Sequence, residues 1–249
     1  MALFIRTSGT GTDDIVLLHG WGFHGAVWNE VAETLVAQGR RVHQVDLPGH
    51  GHSPPANTPM DIDALAEAVQ EAVPSRAVWV GWSLGGMVAQ AAAAMNPTNL
   101  RALVLVATTP RFVRGPDWPA AMDPALLAQF GHGLTTNWRA TLSRFLAIQS
   151  RALRVRATMF HPAPDPGALA NGLVILQNTD LRSRLSAIVC PTLVLLGERD
   201  TLVPIEVSKH WSRLRPDWRI QCLSGAGHMP FLTHHAEVSS ALAEHGRSD

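Results

Sequence analysis

Residues 77–94 confine the chain more than any other stretch. Ala77-Val78-Trp79-Val80 is an apolar, strand-prone run, Gly81-Trp82-Ser83-Leu84-Gly85 follows it, and Gly86-Met87-Val88-Ala89-Gln90-Ala91-Ala92-Ala93-Ala94 is a strong helix former. The order is strand, sharp turn, helix, with a serine at the apex. Flanking glycines let the backbone take strained dihedrals and keep side chains from crowding, so the serine oxygen is held out toward a substrate. Ser83 is therefore a candidate nucleophile. The Gly-x-Ser-x-Gly pattern alone is a weak signal, expected by chance in roughly one chain in fifteen of this length at the usual glycine frequency. Its surroundings decide.

A serine hydroxyl is a poor nucleophile until a base takes its proton, and the base needs an acid to fix its tautomer and stabilise its charge. Pro191-Thr192-Leu193-Val194-Leu195-Leu196 reads as a buried parallel strand, and Gly197-Glu198-Arg199-Asp200 after it places a carboxylate at its carboxyl end. Asp200, rather than Glu198, is the candidate acid. Arg219-Ile220-Gln221-Cys222-Leu223 reads as the next strand, and the loop Ser224-Gly225-Ala226-Gly227-His228-Met229-Pro230 supplies His228 as candidate base. Acyl transfer also needs N–H donors for the oxyanion of its tetrahedral intermediate. The strand Ile15-Val16-Leu17-Leu18 ends in His19-Gly20-Trp21-Gly22, and the backbone amides of Trp21 and Leu84 are the expected donors. His19 is expected to hold its loop by hydrogen bonds rather than to react.

Strands and helices alternate along the chain, which calls for a mostly parallel, doubly wound α/β sheet. Expected strands are 15–18, 42–46, 77–81, 103–107, 192–196 and 219–223; expected helices are 28–37, 62–73, 84–95, 204–214 and 236–245. Residues 111–176 break the alternation and read as a helical cap. The core is then 1–110 together with 177–249. Within the cap no Asp or Glu occurs from Pro124 to Pro164, whereas Arg139, Arg144, Arg151, Arg154 and Arg156 all fall there. Such a run is ordinarily a solvated face.

With 249 residues, 46% of them hydrophobic, the chain can bury one sizeable core. Twenty Lys plus Arg balance twenty Asp plus Glu, so no bulk affinity for nucleic acid or membrane is implied. No stretch reaches the ~18 apolar residues of a membrane span, and Met1-Ala2-Leu3-Phe4-Ile5-Arg6 does not open a signal peptide. A cytoplasmic location is the expectation. Cys190 and Cys222 are read as buried, reduced thiols. His50-Gly51-His52 and His234-His235 lack the company of a metal site, so no metal is expected. The absence of tyrosine removes a Tyr-Lys reductase, the single lysine, Lys209, follows no glycine-rich loop, and no Gly-x-Gly-x-x-Gly follows a first strand. No cofactor is expected.

The order Ser, Asp, His, each just past a strand, resembles the α/β-hydrolases along nearly the whole chain. A narrower resemblance rests on Leu-Leu-His-Gly-Trp-Gly at 17–22, Val-Asp-Leu-Pro-Gly-His-Gly at 45–51, Gly-Trp-Ser-Leu-Gly-Gly at 81–86, Arg-Phe-Leu-Ala-Ile-Gln at 144–149, Asn-Gly-Leu at 171–173 and Asp-Leu-Arg at 180–182. These look like the family of pimeloyl-acyl-carrier-protein methyl ester esterases of biotin synthesis. The resemblance implies a sheet with the helical cap inserted after its sixth strand. It also implies a serine carboxylesterase releasing methanol, with substrate contacts at Trp21, Trp82, Ser83, Leu84, Phe145, Leu146, Ala147, Ile148, Gln149 and His228. The acidic acyl-carrier protein that bears the substrate would dock on Arg139, Arg144, Arg151 and Arg154, and the enzyme would be a monomer. The alternatives are another small-ester or enol-lactone hydrolase, or a non-catalytic hydrolase-like binding protein.

Overall fold

The computed structural model describes residues 2–95, 98–149 and 161–245, with the side chains of 146, 148 and 149 left aside. Seven strands form one sheet: β1 (Ile5–Ser8), β2 (Asp14–Leu18), β3 (Arg41–Val45), β4 (Ala77–Trp82), β5 (Leu100–Val106), β6 (Thr192–Gly197) and β7 (Arg219–Leu223). Their spatial order is β1-β3-β2-β4-β5-β6-β7. Only β1 runs antiparallel, against β3. The interior strands are apolar runs buried along their length, β4 and β6 throughout, as a parallel sheet covered on both faces requires.

The chain passes from β2 outward to β3 and then crosses to β4 on the other side of β2. That reversal leaves a crevice beyond the carboxyl ends of β2 and β4, where open α/β sheets place ligands. His19-Gly20 follows β2 and Ser83 follows β4, so two of the expected site segments meet there.

Helices α1 (Asn29–Ala37), α2 (Ile62–Ala72) and α3 (Leu84–Met95) connect the first strands. α2 starts where the Asp61 carboxylate accepts the Ala64 N–H at 2.8 Å, a side-chain cap on an otherwise orphaned donor. α3 is buried from Leu84 to Ala93, which explains its run of small residues. Between β5 and β6 lie α4 (Pro124–Gln149) and α5 (Pro166–Asn178). α4 kinks at Asn137, whose backbone leaves the helical region and whose side chain accepts the Ala140 N–H at 3.1 Å, so a new helix segment begins on its own cap. α5 is capped in the same way by Asp165, through Ala168 N–H at 2.9 Å. α6 (Val207–Leu214), α7 (Pro230–Thr233) and α8 (His235–His245) complete the chain.

The inserted helices are tied down by polar contacts across the crevice. Trp21 Nε1–H donates to Leu169 C=O at 2.8 Å, Asp165 N–H to Gly49 C=O at 2.7 Å, and Asn171 Nδ2–H to Met60 C=O at 2.8 Å. Counted in chain order the insertion follows the fifth of seven strands, because a single strand, β1, precedes β2. β1 itself escapes the sequence reading: it is four residues long and half polar, and its pairing with β3 is what makes it a strand. Cys190 is buried as expected, but Cys222 is exposed, since β7 is the edge of the sheet and half open to solvent. Among the described residues no helix is long and apolar enough to cross a membrane.

Candidate active site

Ser83 sits between β4 and α3 at φ +54°, a left-handed conformation that costs a non-glycine residue energy and is held only by its surroundings. Its N–H donates to Val106 C=O at 3.0 Å. Neither neighbouring glycine could carry a side chain. A Cβ on Gly85 would lie 2.5 Å from the carbonyl oxygen of His19, and one on Gly81 would collide with Gly85.

The turn delivers Ser83 Oγ to within 3.0 Å of His228 Nε2, and His228 Nδ1 lies 2.7 Å from Asp200 Oδ2. Because a carboxylate only accepts, Nδ1 carries the proton and Nε2 is left to accept from the serine hydroxyl. The other carboxylate oxygen, Asp200 Oδ1, accepts the N–H groups of Leu202 at 2.8 Å and Val203 at 2.9 Å. Asp200 is thus immobilised at both oxygens. All three residues are buried, which shields the relay from competing water.

Glu198 does something else. Its Oε2 accepts the Ser224 hydroxyl at 2.9 Å and the Gly225 N–H at 2.7 Å, which pins the loop that carries His228 to the loop that carries Asp200. Those hydrogen bonds, the Gly225 N–H first, hold its carboxyl below the ordinary glutamate range. Trp82 also serves His228. It is 1% exposed, donates Nε1–H to the His228 C=O at 2.7 Å, and packs on Phe23 and Phe231. It lies beneath the base as a support, whereas the resemblance implied a substrate contact.

Opposite Ser83, the loop after β2 approaches through Gly20, where a Cβ would come within 3.2 Å of Ser83 Cβ and 3.0 Å of the Trp82 ring. Among the described residues, neither the Trp21 amide nor the Leu84 amide has a hydrogen-bond partner. Two unspent N–H groups therefore flank the serine, as an oxyanion site needs. His19 fixes the loop: Nδ1–H donates to Gly20 C=O at 2.8 Å while Nε2 accepts the Leu47 N–H at 2.9 Å. Burial first, and the nearby His50 next, push its pKa well below the usual histidine value, so it is a neutral strut.

Trp21 faces the inserted helices. Phe145 meets its ring edge-on at 4.7 Å, and Phe130 meets Phe145 at 5.2 Å, forming an aromatic wall above the crevice. α5 comes close to Trp21 through Gly172, where a Cβ would lie 2.5 Å from the indole. Ala147 is not brought to this wall; it is exposed, as expected two residues and about 200° around the helix from Phe145. The side chains of Leu146, Ile148 and Gln149 lie outside the described set, as do Arg151, Arg154 and Arg156. A cavity of about 170 Å³ shares Leu84 with the site and runs between the 47–60 loop and α5, lined by Leu47, His50, Met60, Ala168 and Asn171. Among the described residues no group of three or more His, Cys, Asp or Glu could hold a metal.

Residues 15–241 match the model of the alpha/beta hydrolase family. The pimeloyl-[acyl-carrier protein] methyl ester esterase of Xanthomonas campestris pv. campestris (strain B100) is 42% identical over 238 residues, covering 92% of each chain. The protein of the same name from Methylococcus capsulatus is 42% identical over an alignment of 253 positions, covering 98% of each. The fold superimposes on an esterase from Exiguobacterium antarcticum with a TM-score of 0.90 at 21% identity, over 99% of this chain and 96% of that one. At that identity the superposition speaks for the fold alone. The chain belongs to the alpha/beta hydrolase family and, within it, to the family of the pimeloyl-[acyl-carrier protein] methyl ester esterases.

Proposed function

We infer that the chain is a serine carboxylesterase that hydrolyses the methyl ester of pimeloyl-acyl-carrier protein and releases methanol. The observation that carries this reading is the Ser83–His228–Asp200 hydrogen-bonded chain at the crevice of a protein 42% identical to esterases of that name. Ser83 Oγ attacks the ester carbonyl carbon while His228 Nε2 takes its proton. The carbonyl oxygen, now negative, rests against the amides of Trp21 and Leu84. Collapse of the tetrahedral adduct breaks the bond to the methoxy oxygen, which receives the proton from His228 and leaves as methanol. A water then gives its proton to His228 and attacks the acyl-serine, returning free acid and serine. Asp200 keeps the imidazole in the tautomer both halves need.

The carrier protein is the finer part of the reading. α4 carries no Asp or Glu, and its Arg139 and Arg144 are exposed, so this helix offers an acidic partner positive charge that no carboxylate on the helix offsets. Arg151 and Arg154 extend the same run in sequence.

The test is direct: incubate the purified protein with the carrier-bound methyl ester and measure methanol release, alongside Ser83→Ala. Wild-type turnover should fall by at least about 10⁴-fold in the variant, because loss of the nucleophile leaves only binding and oxyanion stabilisation. Near-native activity in Ser83→Ala sinks the reading.

A further inference from the structure

Thr108 lies two residues beyond the end of β5 and is completely buried. Its Oγ1–H donates to the carbonyl oxygen of Ser83 at 2.8 Å. Ala107, between strand and threonine, is held at φ +45° with its N–H on Leu195 C=O at 2.8 Å, so the chain turns sharply to bring the hydroxyl there. The end of β5 thereby grips Ser83 at both backbone groups: Val106 C=O takes its N–H, and Thr108 supplies a donor to its C=O. The second glycine of Gly85-Gly86 gains a reason as well. A Cβ on Gly86 would lie 2.5 Å from Thr108 Cγ2, so only glycine admits the threonine.

The C=O of Ser83 and the N–H of Leu84 belong to one planar trans peptide unit and point in opposite directions. Whatever fixes the carbonyl aims the amide. The same carbonyl accepts from Gly86 N–H at 2.9 Å and Met87 N–H at 3.2 Å as the helix begins, and each donor on it polarises the peptide and strengthens the N–H on the far side. We propose that Thr108 is a positioning residue for the reaction: through the Ser83 carbonyl it orients and polarises the Leu84 amide that receives the oxyanion. This rests on the esterase reading and on Leu84 as an oxyanion donor.

Thr108→Val is close in shape and leaves the Ser83 carbonyl two N–H donors, whereas Thr108→Ser keeps the hydroxyl. With active sites counted by fluorophosphonate titration, kcat per site on the methyl ester should fall about tenfold in Thr108→Val, below the 10²–10³-fold lost when a donor is deleted outright. KM should stay unchanged. Affinity for a boronic acid that mimics the tetrahedral adduct should drop by the same factor, and Thr108→Ser should restore both. A purely structural role would lower the melting temperature or the number of titratable sites and leave kcat per site alone, which overturns the proposal. If Thr108→Val folds poorly, boronate affinity in Thr108→Ser against Thr108→Ala supplies the same comparison. A wild-type protein that neither labels at Ser83 nor turns over ester overturns the esterase reading itself. A wild type that does both, with Thr108→Val equal to it per site, overturns only the positioning role.

Discussion

Two carboxylates, Glu198 and Asp200, stand within three residues of each other beside His228, and geometry divides their work. Asp200 spends one oxygen on the imidazole and the other on two backbone amides; Glu198 spends its contacts on the Ser224–Gly225 turn. Asp200→Asn places an amide where an acceptor must hold Nδ1–H, and kcat should fall on the order of 10⁴-fold, as loss of the tautomer-fixing acid does in other triads. Glu198→Gln keeps an oxygen for Ser224 and Gly225 and should cost less than about tenfold. Single-variant kinetics settle it, and the reverse ranking would exchange the two roles. Ser83 and Asp200 were legible because each sits just past an apolar strand, and His228 because it lies in the glycine-rich loop after the next strand. Thr108 and Glu198 were not. Their side chains act through backbone groups of other loops, Ser83 C=O and Gly225 N–H, and no sequence spacing records which loops meet.

At the level of elements, strands that are buried on both faces announced themselves as apolar runs, and five helices were visible from their sequence. β1 was not, because a short half-polar edge strand has no pattern apart from its partner. The Asn137 kink was hidden too, since Asn both ends one helical segment and caps the next by a local hydrogen bond. In the proposed function, α4 is the element whose charge bears on the carrier protein. Exposed arginines act mainly on encounter and orientation, and salt screens them over about 8 Å at physiological ionic strength. Arg139→Ala with Arg144→Ala should raise KM for the carrier-bound ester, more at low salt than at high, while leaving hydrolysis of a small free ester unchanged. Equal losses on both substrates, or no salt dependence, would make these arginines an ordinary solvated face.

For the molecule as a whole, two buried histidines set an acid limit independent of the triad. His19 and His50 each donate Nδ1–H to a backbone carbonyl, Gly20 and Pro48, and lie against each other with ring centroids 5.1 Å apart. Burial is the largest cause that lowers the pKa of both. In the unfolded chain each titrates near the ordinary 6.5, while in the fold both are lowered, His19 well below that value. Below pH 6.5 the unfolded state binds protons that the native state refuses, so stability present above that pH is lost as pH falls. Each histidine contributes a slope of at most about 1.4 kcal/mol per pH unit. Denaturant unfolding between pH 7.5 and 5 should show that decline. His50→Gln, which removes one titrating group but keeps a donor for Pro48 C=O, should reduce the slope by about one proton's worth. An unchanged slope in His50→Gln would place the acid sensitivity at another histidine such as His245, whose pKa burial also lowers, because carboxylates such as Asp14, lowered chiefly by Arg41, lose their contribution only below their ordinary value. The two sources therefore separate by pH, histidine loss beginning near 6.5 and carboxylate loss near 4.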